Sequence, residues 1–125
     1  MKWLLIIFCF FFFSCSSSKY IETCLYFGQT RPDGSMITEK EWNDFKENHI
    51  IKVFKEGNSV FSSVGNWYDT AAHKMITEPS YMVVYNYKKS SLISRQIDSL
   101  ANLYKKLFNQ QSVLRVDKKT RTWFL

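Results

Sequence analysis

The order of helix and strand patterns along this chain constrains its fold more than any other feature. Apolar and aromatic residues suited to a pleated sheet recur in separate segments, and two longer segments have the apolar spacing of amphipathic helices. In chain order these patterns give β-α-β-β-α-β, which is the arrangement of ferredoxin-like folds. The sequence therefore predicts an α+β domain with one antiparallel sheet and both helices on one of its faces. The predicted strands lie at Glu22–Gly28, Val60–Trp67, within Met75–Tyr87, and at Ser112–Val116.

The first predicted helix is marked by its N-terminal cap. Thr38 and Glu41 form a capping box, in which each side chain accepts a hydrogen bond from the backbone N–H of the other residue. Apolar and aromatic residues then follow at spacings of three and four, the period of an amphipathic helix. We expect this helix to end at roughly His49 or Phe54, with a buried side formed by Trp42, Phe45, His49, Ile50 and Val53.

The second predicted helix is longer and more regular. Ser90 or Ser91 provides its cap, and the helix runs to about Phe108. The apolar stripe of the helix consists of Ile93, Ile97, Leu100, Tyr104 and Leu107.

After the fourth strand, Asp117–Lys119 is expected to turn the chain into a further edge strand over Thr120–Phe124.

Two of the predicted strands are more apolar and aromatic than the others. Glu22–Gly28 and Tyr81–Tyr87 should therefore be adjacent and central in the sheet. If the helices cover the face that carries the tyrosines, these rings belong to the core. If that face is open, they form a platform for a ligand or a second subunit. The tyrosines that share this face are Tyr81, Tyr85 and Tyr87.

The first residues have the layout of an export signal. Lys2 precedes an uninterrupted apolar run over residues 4–13, which is shorter than the roughly 20 apolar residues of a membrane-spanning helix. Ser14 and Cys15 then resemble the lipobox of bacterial lipoproteins, in which the cysteine is acylated. We predict a signal peptide over residues 1–14, lipidated Cys15 and a short tether over residues 15–20, and one domain over residues 21–125. Ordinary signal cleavage and an uncleaved anchor are the alternatives, because Phe12 and Phe13 are bulkier than the usual lipobox residues.

Charge and cysteine content argue against several classes of function. The formal net charge is +6, but the basic residues are dispersed and no nucleic-acid motif is present, so we expect no nucleic-acid partner. Cys24 stands alone in the predicted domain, and we interpret it as a small buried hydrophobe rather than a reactive thiol. His49 and His73 lack partners at ligand spacing, so the sequence predicts no metal site and no cofactor.

The most suggestive polar residues lie near predicted strand ends. Arg31 and Asp33 follow the first strand, Trp67 ends the second, Glu78 opens the third, and Arg115 lies in the fourth. Strand pairing could bring these ends together, with Arg31 binding an anion, Trp67 forming an apolar wall and Glu78 acting as a base. We expect Trp67 and Glu78 to share one concavity with Arg31 at its rim. The alternative is structural, namely an ion pair between Arg31 and Glu78 beside a buried Trp67.

Several short motifs together resemble a bacterial family named domain of unknown function 3574. The resemblance covers about residues 22–124 and departs from the family at Ile51–Lys55, which lacks the two prolines often found there. It implies a small exported or lipid-anchored bacterial protein with no assigned activity. The matching motifs are Leu25–Gly28, Arg31–Gly34, Thr38–Phe45, Val64–Trp67, Glu78–Ser80, Tyr104–Phe108 and Gln111–Arg115.

These features predict a lipid-anchored protein of the bacterial cell envelope, on the periplasmic or outer-membrane side, that acts as a small binding or interaction module. The expected partners are the membrane, a small polar or anionic ligand, and a second copy of the chain bound through the open sheet face or an edge strand. The alternative is a small cofactor-free enzyme that uses Glu78 or His49 as a base and Arg31 as an anion clamp. The sequence assigns no catalytic residue.

Overall fold

A four-stranded antiparallel sheet organises residues 19–125, the part of the chain that this computed structural model describes. The strand order is β2-β3-β1-β4, so β1 and β3 are adjacent and central, as their apolar and aromatic residues predicted. The predicted signal peptide and lipidated Cys15 lie outside the described residues. The strands are β1 (Tyr20–Gly28), β2 (Ser59–Asp69), β3 (Lys74–Lys88) and β4 (Leu114–Thr120).

The helices begin at the caps that the sequence predicted. Thr38 and Glu41 form the capping box, and the Ser90 side chain accepts a hydrogen bond from the Ile93 N–H. None of the helices within residues 19–125 is long and apolar enough to cross a membrane. The helical segments are α1 (Glu39–Phe45), a π-helical stretch (Lys46–Ile50), α2 (Ile51–Val53) and α3 (Ser91–Phe108).

The π-helical stretch changes which residues of the first helical run are buried. A π-helix closes its hydrogen bonds one residue later than an α-helix, so Phe45 and Ile50 come to the same side. These two side chains are 2% and 0% exposed. His49, which the α-helical period placed on the buried side, is half-buried, with its ring centroid 5.2 Å from that of Phe45.

Both helical layers cover the same face of the sheet, which confirms the predicted α+β architecture. Trp42 of α1 stacks on Tyr81 with ring centroids 4.4 Å apart, and Tyr104 of α3 packs edge-on against Phe27 at 4.7 Å. The tyrosine row of β3 therefore belongs to the core, and the alternative of an open aromatic platform is wrong. The buried members of that row are Tyr85 and Tyr87, each 2% exposed.

The C-terminal strand differs from its predicted boundaries. Asp117–Lys119 does not turn but pairs with β1, because Asp117 accepts a hydrogen bond from Thr23 and forms an ion pair with Arg115. Alternate charged residues are tolerated on an edge strand that is solvated along one side. Residues beyond β4 form no strand, so the predicted edge strand over Thr120–Phe124 is wrong.

Candidate ligand-binding cavity

The face of the sheet opposite the helices contains a cavity of about 680 Å³. The β2–β3 hairpin extends beyond the last paired residues of β1 and β4, and the cavity lies beside this extension. The β1–α1 loop and the α3–β4 loop close its other sides. The apolar walls are Trp67 and Ile76 on the hairpin and Tyr26 and Leu114 on the neighbouring strands.

Two glycines create the depression. The residue opposite Glu78 in β2 is Gly65, which has no side chain. On the other side of Glu78 lies Gly28, where an added Cβ would come within 2.9 Å of Glu78 Oε1. The Glu78 carboxylate therefore lies directly against the backbone of β1, a close approach that only glycine permits.

The Glu78 carboxylate has no partner within the described part of the chain. No side chain or backbone group of residues 19–125 donates a hydrogen bond to it or forms an ion pair with it. Its side chain is half-buried and lines the cavity. A carboxylate accepts hydrogen bonds and donates none, so this wall of the cavity favours a donor or a cation.

Arg31 also lines the cavity, but the fold already engages its guanidinium. Nη2 lies 2.6 Å from Glu41 Oε1, and Nη1 donates to the Met36 carbonyl oxygen at 2.8 Å. The guanidinium carbon lies 5.7 Å from the ring centroid of Phe108, which is within the range of a cation–π contact. The predicted structural alternative, an ion pair between Arg31 and Glu78, is therefore wrong, because Glu41 takes the role of partner.

Trp67 and Glu78 lie inside strands rather than at the strand ends that the sequence suggested. Trp67 pairs with Ile76 across the hairpin and is 43% exposed, so it is not the buried residue of the structural alternative. Glu78 lies inside β3, four residues after Lys74, the first residue of the strand, and on the same face as Lys74. Lys74 lines the cavity and forms no ion pair with any residue that the structure describes.

A hydrogen-bonded group on the helix side fixes the strand end beneath Glu78. The Tyr104 hydroxyl donates to the Gly28 carbonyl oxygen at 2.7 Å and accepts from Gln29 Nε2 at 3.0 Å. Gln29 Nε2 also donates to the Phe27 carbonyl oxygen. Burial raises the pKa of the Tyr104 phenol well above its ordinary value, so the hydroxyl remains a donor at neutral pH. Sequence periodicity placed Tyr104 in the core but gave no indication of this polar role.

Two predicted site residues do not line the cavity. Asp33 is exposed and accepts hydrogen bonds from the backbone and hydroxyl of Ser35 within its own loop. Arg115 lies on the helix-covered face, where its guanidinium is 2.6 Å from Asp98 and 3.0 Å from Asp117. Adjacent residues of a strand face opposite ways, so Leu114 reaches the cavity and Arg115 cannot.

The described residues offer little further chemistry in the cavity. No histidine lines it, and residues 19–125 contain no group of three or more His, Cys, Asp and Glu able to hold a metal ion. Asp69 is on the lining, but its carboxylate accepts hydrogen bonds from the hairpin turn. Cys24 is buried, and burial together with the charge of Glu22 raises the pKa of its thiol, which disfavours the thiolate.

Sequence reasoning missed the two glycines and Ile76. A glycine within or at the end of a strand marks a place where another group approaches the backbone, and this was the available signal for Gly28 and Gly65. Ile76 could not be assigned to the cavity before the hairpin register was known, because that register decides which face each residue occupies.

A family model described as a protein of unknown function (DUF3574) matches residues 22–124. A comparison with curated proteins gives no significant match.

Solved structures include proteins of similar fold. A phage SAM lyase in complex with S-methyl-5'-thioadenosine aligns with a TM-score of 0.63 at 15% identity, covering 82% of each chain. CutA from Synechococcus elongatus aligns with a TM-score of 0.53 at 8% identity, covering 84% of this chain and 80% of that chain. At these identities the likeness concerns the fold alone.

Proposed function

The chain belongs to the family described as a protein of unknown function (DUF3574), and we propose that it is a lipid-anchored binding module of the bacterial cell envelope. Its ligand is a small polar molecule that occupies the cavity around Glu78. The observation that carries this proposal is the Glu78 carboxylate, which is held against Gly28 and left without a partner among residues 19–125. A hydrogen-bond donor stabilises a half-buried carboxylate, and residues 19–125 supply none to Glu78.

The lining indicates the chemistry of the ligand. Glu78 favours an amine or hydroxyl group at the floor, and the exposed face of Trp67 favours an apolar or planar group beside it. The ammonium group of Lys74 can bind an anionic group at the mouth of the cavity, whereas the Arg31 guanidinium is already paired with Glu41. The expected ligand is therefore small, carries a hydrogen-bond donor or cation at one end, and tolerates a negative group at the other.

The phage SAM lyase supplies a first probe compound. That protein was solved with S-methyl-5'-thioadenosine, and it shares the fold of this chain. The compound combines a planar base with amino and hydroxyl donors, which suits a cavity walled by Trp67 and floored by Glu78.

The membrane anchor rests on the pattern of the first residues. The apolar run before Ser14-Cys15 supports cleavage after Ser14 and acylation of Cys15. The intact mass of the protein extracted from membranes should equal that of residues 15–125 plus acyl groups. A chain that still begins at Met1, or a soluble chain without acyl groups, would contradict this part of the proposal.

The ligand is tested by native mass spectrometry of the protein purified from its own membranes. We expect a small molecule to remain bound to the wild type and to the control Glu47→Gln, whose side chain is exposed and outside the cavity. Glu78→Gln keeps the shape but removes the charge, so retention should fall at least several-fold while the thermal midpoint stays unchanged. Equal retention in both variants would contradict the role given to Glu78. A fall of about 1–3 kcal/mol in the free energy of unfolding of Glu78→Gln would indicate a structural role instead.

The enzymatic alternative now rests on Glu78 alone, because His49 does not line the cavity. A half-buried carboxylate without a partner could accept a proton from a bound ligand. An enzyme would convert the co-purified compound or its precursor, and Glu78→Gln would abolish conversion. A binding module would release the compound chemically unchanged.

A further inference from the structure

The two edges of the sheet differ in charge. The β4 edge carries Arg115, Asp117, Lys118 and Lys119 within seven residues. The β2 edge has 11 residues and one charged side chain, Asp69, at its end. Proteins commonly protect an edge strand from pairing with another chain by lysine, proline or a covering element, and β2 has no lysine or proline. In the part of the chain that the structure describes, β2 makes backbone hydrogen bonds with β3 and with no other segment.

The β2 strand also exposes apolar side chains on both faces of the sheet. On the cavity face Phe61 and Trp67 are 50% and 43% exposed, and on the opposite face Val64 and Tyr68 are 65% and 53% exposed. An element that covered one face would leave the other exposed. A strand added to the edge covers both faces and satisfies the unpaired backbone groups as well.

We propose that β2 is the interface through which two copies of this chain form a two-fold symmetric dimer. The strand is self-complementary when two copies pair antiparallel with the axis at Val64, because all 11 residues then have a partner. In this register Phe61 lies opposite Trp67, and Val60 lies opposite Tyr68. Aromatic and β-branched cross-strand pairs of this kind stabilise sheets. Moving the axis by two residues, to Ser62 or to Asn66, leaves Trp67 or Phe61, respectively, without a strand residue opposite.

The dimer gives one continuous sheet of eight strands, twice the four of a single copy. A two-fold axis perpendicular to the sheet keeps the helices of both copies on one side and opens both cavities on the other. Trp67 then serves the interface and the cavity together, because Phe61 of the partner subunit lies beside it. A head-to-tail arrangement is disfavoured, since it would bring the apolar β2 edge against the charged β4 edge.

Disulfide trapping in membranes tests the register with the full chain. Val64→Cys places two thiols opposite each other across the axis, where Cβ atoms of paired residues lie roughly 4.5–5.5 Å apart and can be bridged after a small adjustment. We expect a mild oxidant to give a covalent dimer on a non-reducing gel. The matched control Lys119→Cys, exposed on the β4 edge, should stay at the background set by the protein without an added cysteine.

Charge at the axis provides an independent test of the same proposal. Val64→Lys should halve the mass of the detergent-extracted protein measured by light scattering, with circular dichroism unchanged. Val64→Thr, which is β-branched and neutral, should keep the dimer. The proposal is overturned if Val64→Cys cross-links no better than Lys119→Cys, if only a mixture of the two variants cross-links, or if the wild type is monomeric.

Discussion

At the scale of single residues, Glu78 depends on the absence of a side chain at Gly28. An added methyl group there would meet the carboxylate at 2.9 Å, but it would meet the flexible end of a side chain rather than backbone. Gly28→Ala should therefore turn Glu78 away from the cavity floor and reduce ligand retention several-fold. The free energy of unfolding should change by less than about 1 kcal/mol.

Gly65→Ala is the matched control for this change. Its added Cβ would lie 3.9 Å from the Glu78 carbonyl oxygen, an ordinary contact that leaves the carboxylate in place. Native mass spectrometry of both variants separates displacement of Glu78 from a general effect of an extra methyl group. Equal loss of ligand in both variants would contradict the role given to Gly28.

Tyr104 belongs to the apolar stripe of α3, yet its hydroxyl group makes polar contacts. Tyr104→Phe removes the hydroxyl that serves the Gly28 carbonyl and Gln29, and leaves both groups buried without that partner. The free energy of unfolding in urea should fall by about 1–3 kcal/mol. Tyr26→Phe, whose hydroxyl bonds no described residue, should stay within about 0.5 kcal/mol of the wild type. A Tyr104 variant as stable as the Tyr26 variant would show that the network contributes little.

At the scale of elements, Glu41 joins the first helix to the loop that borders the cavity. Its carboxylate accepts hydrogen bonds from the backbone and hydroxyl of Thr38 and from Arg31. These hydrogen bonds hold the pKa of Glu41 below its ordinary value, and the two from Thr38 contribute most. The folded pKa is below the unfolded one, so the carboxylate stabilises the fold at neutral pH. This contribution disappears as the pH falls through the folded pKa.

Glu41→Gln isolates the charge, because glutamine still completes a capping box. The variant should unfold at lower urea than the wild type at neutral pH, and the difference should close as the pH falls through the folded pKa of Glu41, which lies below its ordinary value. Glu47→Gln, exposed in the π-helical stretch, should match the wild type throughout. A difference between Glu41→Gln and the wild type that persists undiminished in acid would contradict the ionic contribution.

The order of elements could be predicted from sequence, whereas the faces of individual residues could not. Caps at Thr38 and Ser90 and the aromatic character of β1 and β3 are local signals, and the structure confirms them. The π-helical shift toward Ile50 depends on packing against the sheet, which no local pattern records. The same limit applies to Arg115, because only the register of β4 decides that it faces the helices.

The candidate site was predictable in part for the same reason. Trp67 and Glu78 belong to strands that are neighbours in any ferredoxin-like sheet, so topology alone brings them near each other. The partner of Arg31 was not predictable, because the loop that brings Glu41 to its guanidinium is set by tertiary packing.

At the scale of the whole molecule, the cavity follows from unequal strand lengths. The β2–β3 hairpin projects past β1, and the β1–α1 and α3–β4 loops close the space beside it. The same projection exposes both faces of β2, so the features that make the cavity also make the proposed dimer edge. A ligand beneath Trp67 and a partner subunit beside it would therefore be bound by adjoining surfaces.

The most direct measurement of the central claim is a crystal structure of the protein purified from its own membranes without added ligand. We predict density for a small molecule between Trp67 and Leu114, with a nitrogen or hydroxyl group within hydrogen-bond distance of the Glu78 carboxylate. Density for water alone in the cavity, or a ligand bound elsewhere with Glu78 solvated, would contradict the account.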